Sequence, residues 1–240
     1  MRVESAGPAV SRPVEATSVG MPVLPLELGG AEDPCLPWPV HSPLRRATTF
    51  LVERLWLAGV RGLEHLPAEG VFVLAAPHAS YLDFFVVSTL FDRRLGRTMR
   101  FWAKSRVMHH TFLAPFSRAA GCLEVAERAF HGRLWRHSME CLVERGEPLC
   151  IFPEGRRTTT GEPGKFRLGY LKLAAEAGVP VVPLRIANTF RIWPPHRRLP
   201  RRGVVELEVS EPLWVEPGAS GETLRRLNRE VRSACFGLPC

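Results

Sequence analysis

A histidine and an aspartate stand five positions apart in AAPHASYLDFF, residues 75–85. An apolar run, VFVLAA at 71–76, leads into them and reads as a short buried strand. Neutral imidazole accepts a proton near pH 7. A carboxylate on one ring nitrogen fixes the tautomer and leaves the other nitrogen to act as base. If the chain turns into a helix just after His78, Asp83 lies about one turn along and reaches back. Such a pair deprotonates a hydroxyl. The sequence has no G-x-S-x-G elbow, so the hydroxyl to be activated belongs to a substrate. A helix cap and a surface acid would leave the same spacing, and on spacing alone that plainer reading is the stronger one.

A second loop has chemistry of its own. PEGRRTTTGEPGKF, residues 153–166, follows the apolar LCIF. Gly155 permits an unusual backbone angle or a close ligand approach. Arg156 and Arg157, with Lys165 and Arg167, make a cationic rim suited to a phosphate. A solvated charged loop is the alternative.

Elements must bring these loops together. SPLRR, from Ser42, has the Ser-cap and first-turn Pro of a helix start. The apolar spacing predicts a helix from Arg45 to Val60, packed on a core or lying in a membrane interface. Further helices are expected over Asp83–Phe91, Phe130–Arg145 (ended by Gly146), Lys165–Ala177 (ended by Gly178) and Gly221–Cys235. Strands are expected at 71–76, 99–104, 148–153, 179–187 and 204–210. Strands separated by helices imply a single α/β domain with a mostly parallel sheet flanked by helices. Ligand sites in such sheets lie beyond the C-terminal strand ends, where both loops fall.

Composition sets the limits. The 240 residues carry a formal net charge of +8, 45% hydrophobic and 23% charged residues, an ordinary globular balance. Only Lys104, Lys165 and Lys172 are lysines among 32 basic residues, so the basicity is nearly all arginine. Nucleic acid, an anionic membrane and a phosphorylated or CoA-like ligand all fit that charge. Residues 1–44 hold eight prolines and read as an extended or disordered lead segment, leaving 45–240 as the folded domain. Six cysteines form no C-x-x-C pair, which suits reduced thiols in the cell interior, and the adjacent His109 and His110 are a poor chelating pair. No apolar stretch approaches the ~20 residues a spanning helix needs, and no secretory signal is expected.

The two loops, taken together, resemble the glycerolipid acyltransferases, the family of the 1-acyl-glycerol-3-phosphate acyltransferases. That family's first motif is Asn-His, four residues, Asp; here it stands as Pro77-His78-Ala79-Ser80-Tyr81-Leu82-Asp83. Its Phe-Pro-Glu-Gly-Thr-Arg-Ser motif stands as Phe152-Pro153-Glu154-Gly155-Arg156-Arg157-Thr158. Its Val-Pro-hydrophobic-hydrophobic-Pro run stands as Val179-Pro180-Val181-Val182-Pro183. The similarity runs from about residue 45 to 215, in the family's order. Pro77 replaces the usual asparagine and Arg156 the usual threonine, while in GCLEVAER Arg128 sits one place later than usual.

The resemblance implies an O-acyltransferase of phospholipid biosynthesis. His78 would be the general base and Asp83 its partner; Glu154, Gly155, Arg156, Arg157, Arg128 and Lys104 would form the substrate-binding set. Acyl-CoA or acyl-carrier protein would be the donor, with no cofactor or metal. The acceptor would be a lysophospholipid, most closely 1-acylglycerol-3-phosphate, and no nucleic acid would be bound. Phe84, Phe85, Trp102, Phe112 and Phe116 are candidates for the acyl groove. A peripheral enzyme on the inner face of the cell membrane is expected, with Trp56 and nearby arginines, or Arg197, Arg198, Arg201 and Arg202, toward lipid. Transfer to another lysolipid or an amino-lipid, thioester hydrolysis, and a non-catalytic basic protein binding membrane or nucleic acid are the competing readings.

Overall fold

A computed structural model describes residues 43–68, 70–97, 99–104, 122–125 and 132–239, with the backbone alone at 103, 104, 124 and 125. The lead segment expected over 1–44 lies, but for Pro43 and Leu44, outside these, as do His109, His110, Phe112, Phe116 and Arg128.

Seven strands form one sheet: β1 (Leu57–Arg61), β2 (Val73–Ala75), β3 (Arg100–Lys104), β4 (Cys122–Val125), β5 (Leu149–Ile151), β6 (Val181–Ala187) and β7 (Val205–Val209). Their spatial order is β1-β7-β6-β2-β5-β3-β4. Among the described strands, β6 and β7 pair antiparallel and the other neighbours are parallel. The helices are α1 (Pro43–Leu55), α2 (Leu82–Thr89), α3 (Arg133–Met139), α4 (Gly169–Ala177), α5 (Thr189–Ile192) and α6 (Gly221–Phe236). α2 and α3 each run on into a wider π-helical turn, Leu90–Leu95 and Glu140–Glu144. The α/β class with a mostly parallel sheet is thus the fold.

β2 sits at the centre, between β5 and β6. Its register sets Ala75 beside Ile151 of β5 and Pro183 of β6. Val73, Leu74 and Ala75 are fully buried, as a strand covered on both faces requires. Burying each large side chain of this layer contributes about 1.5–3 kcal/mol. β7, by contrast, alternates buried Val205, Leu207 and Val209 with more accessible Glu206 and Glu208, matching its VELEV pattern. One buried and one half-buried ion pair tie the periphery down. The Arg45 guanidinium of α1 grips Asp92 in the turn after α2, and Arg100 Nε donates to Glu147 Oε2 at 2.7 Å.

Several boundaries differ from the sequence expectation. The helix expected to reach Val60 stops at Leu55, and Leu57–Arg61 becomes β1 against β7. LWLAGV satisfies helix and strand spacing equally, and the sheet edge decides it. The helix expected from Lys165 begins at Gly169, because the chain before it is held straight along the 153–164 loop. There Arg167 N–H donates to Pro153 O at 3.0 Å, and Asn228 Nδ2 to Phe166 O at 3.1 Å. β4 and α5 have no counterpart among the expected elements.

Candidate active site

β2, β5 and β6 run parallel, so the loops leaving their C-terminal ends meet above the sheet. The β2 loop supplies His78. The chain then turns into α2, and Asp83 in its first turn is fully buried. Asp83 Oδ2 accepts the N–H groups of Ala79 and Ser80, each at 2.7 Å. His78 Nδ1 lies 3.2 Å from the same oxygen. Oδ1 accepts the Thr189 hydroxyl at 2.5 Å. Two backbone N–H groups aimed at Oδ2 mark it as an acceptor, so the His78 contact places the hydrogen on Nδ1. That leaves Nε2 as the basic nitrogen. The imidazole is 18% exposed, open enough for a substrate hydroxyl to reach.

The β5 loop braces the histidine from the other side. Phe152 stacks on the imidazole, ring centres 4.1 Å apart and 16° from parallel. Glu154 Oε1 accepts the backbone N–H of His78 at 2.8 Å, and His78 O accepts Thr158 N–H at 2.9 Å. Burial pushes the Glu154 carboxyl above its ordinary range, while N–H groups of His78 and Gly164 pull it back. Gly164 leaves room for the Glu154 carboxylate: a Cβ would fall inside contact distance of Oε2 and 3.0 Å from Cδ, so the carboxylate would have to move. Gly155 has φ +69°, the left-handed conformation that its residue type allows. The Arg157 guanidinium lies 3.9 Å above the Tyr81 ring, a cation–π contact that ties the β5 loop to the His78 loop.

Comparison with known proteins bears on this arrangement. The family model described as Acyltransferase matches residues 58–187. The chain belongs to the acyltransferase family.

Among curated relatives, a chloroplastic 1-acyl-sn-glycerol-3-phosphate acyltransferase of Brassica napus is 27% identical over 62% of this chain and 45% of its own. The protein of that activity from Pseudomonas aeruginosa is 27% identical over 80% of this chain and 77% of its own. The chain spans about half the length of the first of these. A crystal structure of the 1-acyl-sn-glycerophosphate acyltransferase of Thermotoga maritima superposes with a TM-score of 0.63 at 28% identity, covering 78% of this chain and 75% of that one.

In this acyltransferase-family chain, His78 and Asp83 after β2 meet Glu154, Gly155 and Arg157 after the neighbouring β5, and the exposed Arg156 lies beside the latter in sequence. Lys104 ends β3, its side chain outside the described atoms, and Arg128 lies outside the described residues. Of the groove candidates, Phe84 packs edge-on to Phe85 at 5.3 Å and against Phe101 at 4.7 Å, and Trp102 donates to Ser138 Oγ at 2.9 Å. Sequence reasoning missed Thr189 and Ser80. Ser80 Oγ donates to Trp193 O at 2.6 Å, tying the His78 loop to the segment after β6. No His, Cys, Asp or Glu cluster among the described residues has the makings of a metal site.

Proposed function

We propose that this chain transfers a fatty acyl group from acyl-CoA or acyl-carrier protein to the free hydroxyl of a lysophospholipid, 1-acylglycerol-3-phosphate above all. The observation that carries the reading is the His78–Asp83 couple at the end of a central parallel strand, with Arg157 on the adjoining loop. His78 Nε2 takes the proton of the acceptor hydroxyl as its oxygen attacks the thioester carbonyl. The tetrahedral intermediate collapses, and the departing sulfur takes that proton back from the imidazolium. Oxygen gains the acyl group, sulfur leaves as thiol, and the enzyme returns unchanged. Asp83 stabilises the imidazolium between the two steps. Arg157 holds the acceptor phosphate.

A lipid acceptor would favour a position at a bilayer surface. No helix among the described residues is long and apolar enough to cross a membrane. α1 buries Arg45, Thr49 and Val52 and exposes Leu44, Phe50, Leu51 and Leu55. Trp56 Nε1 at its end donates to Arg201 O at 2.9 Å, joining it to a loop with exposed Leu199, Val204, Arg198, Arg201 and Arg202. Apolar side chains among arginines suit an anionic bilayer.

The test compares acyl transfer to lysophosphatidate and to the matching monoacylglycerol, using wild type and Arg157→Ala. Wild type is expected to prefer the phosphorylated acceptor. The variant should lose about 10–100-fold in kcat/KM for it, the worth of one charge-assisted contact. Equal use of both acceptors by wild type would overturn the assignment of the acceptor.

A further inference from the structure

α5 is a single turn after β6, and two of its features point back at the His78 loop. Asn188, just before it, has φ +70°, the one non-glycine residue in the left-handed region among those described. Asparagine bears that conformation better than most side chains. The bend delivers Thr189, 1% exposed, whose hydroxyl reaches Asp83 Oδ1 at 2.5 Å across 106 residues of sequence. Four residues later, Trp193 O receives the Ser80 hydroxyl at 2.6 Å.

We propose that Thr189 is a positioning residue for acyl transfer: it fixes the rotation of the Asp83 carboxylate beside His78 and moderates the negative charge that the imidazole meets. The geometry assigns the two oxygens different work. Oδ2 takes His78 and the two backbone N–H groups, and Oδ1, among the described residues, takes Thr189. Without the hydroxyl, Oδ1 is a buried acceptor with its donor removed, and the carboxylate is free to rotate about its bond toward the remaining donors. Its charge is then less neutralised, so it holds the imidazolium proton more tightly.

The groups facing this carboxylate are His78 from the β2 loop, Glu154 from the β5 loop and the Cys150 thiol of β5. Burial keeps that thiol protonated. Glu154 titrates on its own account, so the readout must come from the histidine ring itself.

The experiment is the NMR titration of the His78 ring in wild type, Thr189→Val, Thr189→Ala and Thr189→Ser, each checked for folding by thermal unfolding. Thr189→Ala keeps the test open should valine pack badly. The hydroxyl-free variants should titrate higher by about 0.5 unit or more, and serine should restore the wild-type midpoint. In the acyl-transfer assay, the acid limb of kcat/KM should move up in step, with KM for the donor unchanged. The proposal rests on the acyl-transfer reading only for this kinetic arm; the titration needs no acceptor, so the two fail separately. An unchanged His78 midpoint in a folded hydroxyl-free variant would overturn it, as would a serine variant that behaves like alanine.

Discussion

Asparagine at position 83 removes one charge and turns one acceptor atom into a donor. The contacts decide which atom changes. On one side Oδ2 meets three N–H donors, from Ala79, Ser80 and His78; on the other Oδ1 meets the Thr189 hydroxyl. A hydroxyl rotates to accept, whereas a backbone N–H has no such freedom. The amide NH₂ of Asp83→Asn therefore settles toward Thr189, and the oxygen stays toward His78. The imidazole keeps its tautomer, and only the charge assistance is lost. Hydrogen bonds to charged groups contribute about 1.5–3 kcal/mol, against about 0.5–1.5 for neutral pairs. The difference of about 1–1.5 kcal/mol corresponds to roughly tenfold in kcat. An inverted tautomer would instead cost about 10⁴-fold. Removing a fully buried charge also relieves its desolvation, so the fold should persist. Initial rates of acyl transfer, beside thermal unfolding curves, measure this. A loss of about 10³-fold or more in folded protein would refute the assignment of the oxygens, and no loss would refute any role for the charge.

Two further outcomes follow from the β5 loop. Gly164→Ala should displace Glu154, loosen its grip on the His78 N–H, and lower kcat about tenfold or more while the sheet core keeps most of its stability; a fully active variant would show that the clash is absorbed without moving His78. The Glu154 carboxyl, raised by burial from an ordinary value of 4.5, binds its proton more tightly when folded than unfolded. Its contribution is therefore fully present below pH 4.5 and is lost as the pH rises through the folded value. Thermal midpoints of wild type should fall over that window relative to Glu154→Gln; parallel curves would sink this account of the carboxyl.

Much of the site was legible because its determinants are local. His78 and Asp83 are five residues apart, and the strand before them is apolar enough to be read as buried. Gly146 and Gly178 ended their helices as expected, both with positive φ. What escaped was set by distant partners. The Thr189 hydroxyl has no sequence signature, since its acceptor lies 106 residues away. Nothing in LAGVR, residues 57–61, reports that this stretch will pair with β7, nearly 150 residues on. Arg167 and Phe166 carry helix-like neighbours, yet backbone contacts to Pro153 and Asn228 hold them extended. Long-range pairing overrode local spacing in each case.

Everything in this reading turns on His78 taking the proton of the acceptor hydroxyl itself. Acyl transfer from a long-chain acyl-CoA to lysophosphatidate, measured for wild type beside folded His78→Ala, tests it most directly. Wild type should make phosphatidate, and the variant should lose roughly 10²–10⁴-fold or more. Equal product from both would contradict it.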